Sequence, residues 1–249
     1  MLPTLQIGPL AFPVPQLSLL AALWLGLSLA EKLSSRNNIS VETLYGLVFT
    51  GLLTGVAGAR LAYVLQFPAA FIQSPASLVS LNAGLLNPFS GFVFGTLGML
   101  IFGQRARVPF WNALDALTPL LAIMAVGLAL AHAASGEAFG AAANLPWSVT
   151  LWGARRHPSQ IYELMAAVLI LGVLFTQIKS YPLPGTLFLA FTGLSATARL
   201  FLEAFRGDSA TIIGGLRVAQ IWAWVVLILV CLLMEYRNHR AIQKDGKNG

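Results

Sequence analysis

Three groups of polar side chains interrupt a chain that is otherwise almost entirely apolar, and each contains arginine. The first is Arg155-Arg156-His157-Pro158-Ser159-Gln160-Ile161-Tyr162-Glu163, the densest polar run outside the C-terminal tail. The second is Arg60, in Gly58-Ala59-Arg60-Leu61-Ala62-Tyr63. The third comprises Arg199, Glu203 and Arg206. Arg199 and Glu203 have the i,i+4 spacing that lets them pair on one helix face, and Arg206 continues that face. A charged side chain at the centre of a bilayer costs about 2.5–3.5 kcal/mol on insertion scales, so each group needs a compensating partner.

Two kinds of partner suit these residues. Guanidinium binds phosphate through paired hydrogen bonds and keeps its charge, so arginines gathered near one leaflet suit an anionic headgroup. The other reading is mutual pairing, Arg199 with Glu203 and Arg156 with Glu163 or Glu137, as structural glue. His157 has the chemistry of an acid or base near neutral pH, and at a membrane edge it also reads as a hydrogen-bonded anchor. Pro158 predicts a helix start, with Tyr162 and Glu163 in its first turns. Asp115, ahead of Pro119, reads as a cap or first-turn charge. The single cysteine, Cys231, lies in an apolar segment and reads as a small buried hydrophobe unable to form an intramolecular disulfide. One cysteine and three scattered histidines show no metal-ligand spacing, and neither metal nor cofactor is expected.

The elements that must hold these residues are membrane helices. The 249 residues are 57% hydrophobic and 10% charged, with a mean hydropathy of +0.76, whereas a soluble domain carries about 25% charged residues. A template of about 20 apolar residues per crossing gives seven spans. They are Gln16–Ala30, Leu44–Phe67, Pro88–Phe102, Ala113–Ala133, Tyr162–Gln177, Leu183–Phe201 and Val218–Met234. Gly51, Gly55 and Gly58 in the second permit close helix approach. The fold class is therefore an all-α polytopic membrane protein, expected to be one integral domain over residues 1–249. No internal repeat is detectable, which counts against a channel or transporter. No basic segment leads into a short apolar core with a cleavage site, so no cleaved signal peptide is expected.

Basic residues set the orientation. Lys32, Arg36, Arg105, Arg107, Lys179, Arg237, Arg240, Lys244 and Lys247 fall on one side, whereas Arg155, Arg156, Arg206 and Arg217 fall on the other. The excess marks the cytoplasm, with the N-terminus outside and the C-terminus inside. The basic tail also attracts anionic lipid, at about 1 kcal/mol per charge near the surface. Topology thus accounts for the net charge of +6 without nucleic acid as a partner.

At His157-Pro158-Ser159-Gln160-Ile161-Tyr162-Glu163 the chain resembles the prolipoprotein diacylglyceryl transferase family, bacterial membrane enzymes of lipoprotein maturation. The likeness runs along nearly the whole chain. It includes Ile7-Gly8-Pro9-Leu10, the Arg60 segment, Asp115 with Pro119, Gly136-Glu137-Ala138-Phe139-Gly140 with Pro146-Trp147, and Arg199 through Arg206. The resemblance implies transfer of a diacylglyceryl group from phosphatidylglycerol to the lipobox cysteine thiol of a preprolipoprotein, in the bacterial cytoplasmic (inner) membrane at its outer leaflet. Arg60, Arg156, Arg199 and Arg206 would bind the lipid phosphate. Glu203 would orient Arg199, Glu137 and His157 would position the thiol, and Gly140, Pro158, Ser159, Gln160, Tyr162 and Glu163 belong to the motif. The implied partners are phosphatidylglycerol, lipobox signal peptides and the bilayer itself.

The chain also departs from that family's pattern. The third-helix His-Gly-Gly reads Phe89-Ser90-Gly91, and the loop arginine and asparagines read Ala129, His132 and Ser135. A tyrosine four residues before Arg199 is Ser195, and the first-helix tyrosines are replaced around Pro15 to Leu19. His132 offers a displaced base, although an apolar-face residue is the preferred reading. The arginine set is better kept than the proton-transfer set. The alternative function is therefore an impaired relative that binds anionic lipid or lipobox peptide without transfer.

Overall fold

The computed structural model describes residues 3–80, 82–177, 183–212 and 215–248. A hairpin of β1 (Thr4–Ile7) and β2 (Leu10–Pro13) opens the chain. Its turn requires Gly8 at φ +61°, a region that L side chains rarely adopt. The helices follow as α1 (Val14–Ser34), α2 (Val41–Gln66), α3 (Pro68–Gln73), α4 (Pro88–Arg105), α5 (Phe110–Ser135), α6 (Ser159–Gln177), α7 (Thr186–Leu202) and α8 (Val218–Asn248). A second hairpin, β3 (Val149–Leu151) with β4 (Ala154–Arg156), lies between α5 and α6.

All seven predicted spans are helical, and the short α3 is an addition. Six described helices are long and apolar enough to cross a membrane. The exception is α4, which fills the third predicted span with 18 residues, four of them glycine, and ends on Gln104-Arg105. Large apolar side chains, among them Trp24, Phe49, Phe92, Leu169 and Trp222, are exposed along these helices. A soluble surface would not carry so many, and lipid is the solvent that accommodates them. The chain is a multi-pass membrane protein. Lys179, one of the orienting charges, lies outside the described residues.

The chain divides into two compact units. Glu31–Ala116 forms one, built on α2 against α4. Ser40 caps α2 by accepting from the Thr43 N–H at 3.2 Å, and Asn87 caps α4 by accepting from the Ser90 N–H at 3.0 Å. The two helices touch through glycine, as the sequence predicts. A methyl group on Gly95 would lie 2.9 Å from the Gly51 carbonyl oxygen, and one on Gly91 3.2 Å from that of Gly55. Asp115 sits beyond the first turn of α5 and is only 5% exposed, so it is neither the cap nor the first-turn charge that the sequence suggests.

The other unit comprises Met1–Ala30 and Leu117–Gly249. Here α1 meets α5 closely: a methyl group on Gly127 would lie 2.3 Å from Ala22 Cβ, and one on Gly26 2.8 Å from Leu120 Cδ1. Helix α7 packs on α6 and on α8. Ala122, Leu174 and Leu187 form the buried centre, with Ile170, Leu171 and Phe191 against them. Cys231 is exposed on α8, contrary to the buried position expected of it.

Candidate functional site

The polar residues of the larger unit are assembled by the backbone around Gly140. Gly140 bridges to Arg206 and Ala142 to Arg156, so residues 139–143 run between the β4 strand and the segment after α7. The Ala141 N–H donates to the Phe205 carbonyl at 2.8 Å, and the His157 N–H to the Ala141 carbonyl at 3.0 Å. No side chain fits at Gly140, because a methyl group there would lie 2.0 Å from the His157 carbonyl oxygen. The motif run secures the same loop. Ser159 donates its hydroxyl to the Ala138 carbonyl at 2.5 Å, Gln160 Nε2 donates to the Glu137 carbonyl at 3.0 Å, and Arg156 donates to the Leu151 and Gly140 carbonyls at 3.1 and 3.2 Å. Pro158 precedes the first residue of α6, as predicted.

This clamp fixes the start of α6 and delivers Glu163 to a hub. One carboxylate oxygen lies 3.0 Å from His132 Nδ1, at the end of α5. The other accepts from Arg206 Nη1 at 2.6 Å and lies 3.3 Å from Arg199 Nη1. Arg199 Nε lies 2.9 Å from a Glu203 carboxylate oxygen, although the two are not aligned for a hydrogen bond. Glu203 is 1% exposed, and a buried carboxylate of this kind is held by its positive neighbour. Arg206 is clasped on its other side by Asp208, at 2.9 and 2.7 Å. Burial opposes the Arg206 charge, but Asp208 and Glu163 more than offset it, so its pKa is raised. Arg217 completes the cluster by donating to the Glu203 and Arg206 carbonyls, each at 2.6 Å.

A cavity of about 290 Å³ opens beside the hub. Its walls are mostly apolar, from Leu128, Ala129, Ala166, Ile170, Phe191 and Leu202, with His132, Glu163, Ser195 and Arg199 as the polar contribution. Arg199, with a side chain 42% exposed, uses Nε and Nη1 on carboxylates, and its Nη2 has no partner among the described residues.

The sequence matches the family model for prolipoprotein diacylglyceryl transferase over residues 4–236. The chain belongs to that family. Among curated relatives it is 30% identical over 233 residues to a protein of Trichormus variabilis, covering 87% of this chain and 82% of the relative. It is 27% identical over 225 residues to one of Finegoldia magna, covering 90% of each, and 28% identical over 224 residues to one of Agrobacterium fabrum, covering 84% and 80%. All three relatives bear the name phosphatidylglycerol–prolipoprotein diacylglyceryl transferase.

The family motifs are not all gathered at the cavity. Glu163 and Arg199 line it, and Glu203 and Arg206 stand directly behind them. Arg156 is engaged by carbonyls and by the Phe139 ring at 4.8 Å, so it pairs with neither Glu163 nor Glu137 among its described contacts. Arg206 does not extend the Arg199 face as a helical residue, because α7 gives way to a 3₁₀ turn at Glu203–Phe205 and Arg206 is extended. Glu137 is exposed and His157 packs on Phe205 and Tyr162, and neither lines the cavity. Tyr162 accepts a 2.8 Å hydrogen bond from the Trp147 indole. Arg60 belongs to the other unit, where it donates to the carbonyls of Ser77, Ser80 and Leu85. Phe89, at the position of the family histidine, is 77% exposed at the start of α4 in that same unit.

Three departures from the family pattern, at Ala129, His132 and Ser195, fall together on the cavity wall. Ala129 and His132 are three residues apart on α5, but nothing in the sequence brings Ser195 of α7 to them. Asp208 and the contacts of Arg217 are not legible in the sequence for a related reason. Their partners are other charges and carbonyls beyond a helix end, where no periodicity applies.

Proposed function

We propose that the chain is a divergent phosphatidylglycerol–prolipoprotein diacylglyceryl transferase, moving a diacylglyceryl group to a lipobox cysteine thiol. It works in the bacterial cytoplasmic membrane with its cavity toward the outer leaflet. The ends of α5 and α7 and the start of α6 meet at the hub, and α8 begins beside it, where Arg217 reaches the Glu203 and Arg206 carbonyls, so the basic residues of α8 follow toward its other end, which supports that orientation.

The observation that carries the reading is Arg199, held by two carboxylates with one guanidinium edge open to an apolar cavity. In the reaction a C–S bond forms at the terminal glyceryl carbon while its C–O bond to phosphate breaks. Negative charge grows on the departing phosphate. A guanidinium already oriented in water-poor surroundings stabilises that charge with little reorganisation. Glu203 fixes the Arg199 plane from behind. Arg206 holds Glu163, with both its sides taken by carboxylates, and serves the site through that contact rather than by gripping lipid. Arg156, Ser159 and Gln160 keep the 136–143 loop in place, as do Glu137 and His157 through their backbones. The apolar wall suits acyl chains.

The test is reconstitution of the purified protein with phosphatidylglycerol and a lipobox peptide, read as a diacylglyceryl mass gain on the cysteine. The gain is expected in the parent and lost in R199A. An unmodified peptide, together with phosphatidylglycerol retained by the parent, supports binding without transfer and overturns the enzyme reading.

A further inference from the structure

The attacking species in thiol alkylation is the thiolate, so a group at the site must take the thiol proton. Three histidines are available to the chain, and only one faces the cavity. His239 is exposed on α8, 3.8 Å from Glu235. His157 lies against Phe205 and Tyr162, with Nδ1 buried and unpartnered and the ring away from the cavity wall. His132 lines the cavity, is 22% exposed, and has Nδ1 3.0 Å from Glu163.

We propose that His132 is the general base of the reaction, with Glu163 as its positioning residue. An ionised carboxylate only accepts hydrogen bonds, so Glu163 selects the tautomer with the proton on Nδ1. Nε2 then carries the lone pair, and it has no partner among the described residues. Base, orienting carboxylate and cavity follow the logic of an activated nucleophile, here with the nucleophile supplied by substrate. The charged groups around the ring are Glu163 on α6 and Arg199 on α7, backed by Arg206 and Glu203. Arg206 and Arg199 engage one Glu163 carboxylate oxygen and leave the other to accept from the ring, and Glu163 in turn stabilises the imidazolium that forms.

This inference rests on the transfer reading above. The thiol proton passes to Nε2, the sulfur forms its bond to the glyceryl carbon, and the C–O electron pair leaves with the phosphate. The imidazolium returns its proton to solvent as the glycerol phosphate departs. The base thus stands on α5, and the sequence departure at Phe89 leaves the chain equipped for proton transfer.

The experiment compares the parent, H132N and H132A in the reconstituted transfer assay from pH 6.5 to 8.5, with phosphatidylglycerol retention measured alongside. Loss of a general base lowers the rate about 10²- to 10⁴-fold. H132N is expected to show a loss of that size at pH 7, and its rate to climb about tenfold per pH unit toward the ordinary thiol pKa of about 8.5, narrowing the gap to the parent. H132A is expected to regain rate in added imidazole. Lipid retention stays at the parent level in both. A rate for H132N within about threefold of the parent overturns the proposal, as does a deficit that neither pH nor imidazole relieves. A parent that transfers nothing at any pH overturns the transfer reading instead, and the base assignment with it.

Discussion

Arg60 and Arg199 both sit on apolar helices of a membrane protein, and they differ in what meets their guanidinium groups. Arg60 donates to backbone carbonyls of Ser77, Ser80 and Leu85, so it gathers the segment that follows α3. Arg199 is flanked by the carboxylates of Glu163 and Glu203 and keeps an edge at a cavity. Carbonyl partners make an arginine part of the scaffold, whereas carboxylates position a charge that still has a face to offer. The partners described for them distinguish the two.

The largest effect that would sharpen this contrast is expected at Arg199. Removing one preorganised donor to a developing oxyanion costs about 10²–10³ in turnover, and R199A should lose at least that in the peptide mass-gain assay. R199K should recover little, because a single ammonium cannot hold two carboxylates and a phosphate in one plane. Next comes G140A. Its methyl group meets the His157 backbone, so the loop that aligns Arg206 and α6 must shift. Overpacking of this kind costs about 1–3 kcal/mol, which detergent thermal unfolding should read as a Tm several degrees lower.

R60A should resemble G140A in stability and differ from R199A in activity. Carbonyls left unsatisfied cost about 1–3 kcal/mol, yet transfer per folded molecule should stay within about twofold of the parent. A hundredfold loss of turnover in stable R60A would break the comparison. The smallest effect is expected for D208N, which removes one of two carboxylates from Arg206 at a partly exposed position. A change below about 1 kcal/mol in unfolding and a few-fold in rate is expected, since Glu163 remains in place.

The helices were legible because lipid demands uninterrupted apolar stretches, and a helix stands in each of the seven predicted segments, although α8 runs to Asn248, well past the predicted end at Met234. The glycines of α2 were legible as well, since close approach leaves a mark in the sequence of one helix. The polar hub was only half visible. Arg199 and Glu203 have a spacing that advertises their pairing, but His132 and Glu163 are 31 residues apart on different helices. Nothing periodic joins them, so the sequence alone presents His132 as an apolar-face residue. The same holds for Arg206, whose expected continuation of the α7 face ends where the chain turns to meet Asp208. The two short hairpins left even less trace, because each has few residues and no buried face among its described side chains.

The claim at the centre of this account is that the lipid phosphate sits at the open edge of Arg199. The most direct measurement is phosphatidylglycerol retained per folded molecule after purification, by mass spectrometry of the intact protein, for the parent, R199A and R60A. The account predicts retention in the parent and R60A and its loss in R199A. Equal retention in R199A and the parent would contradict it.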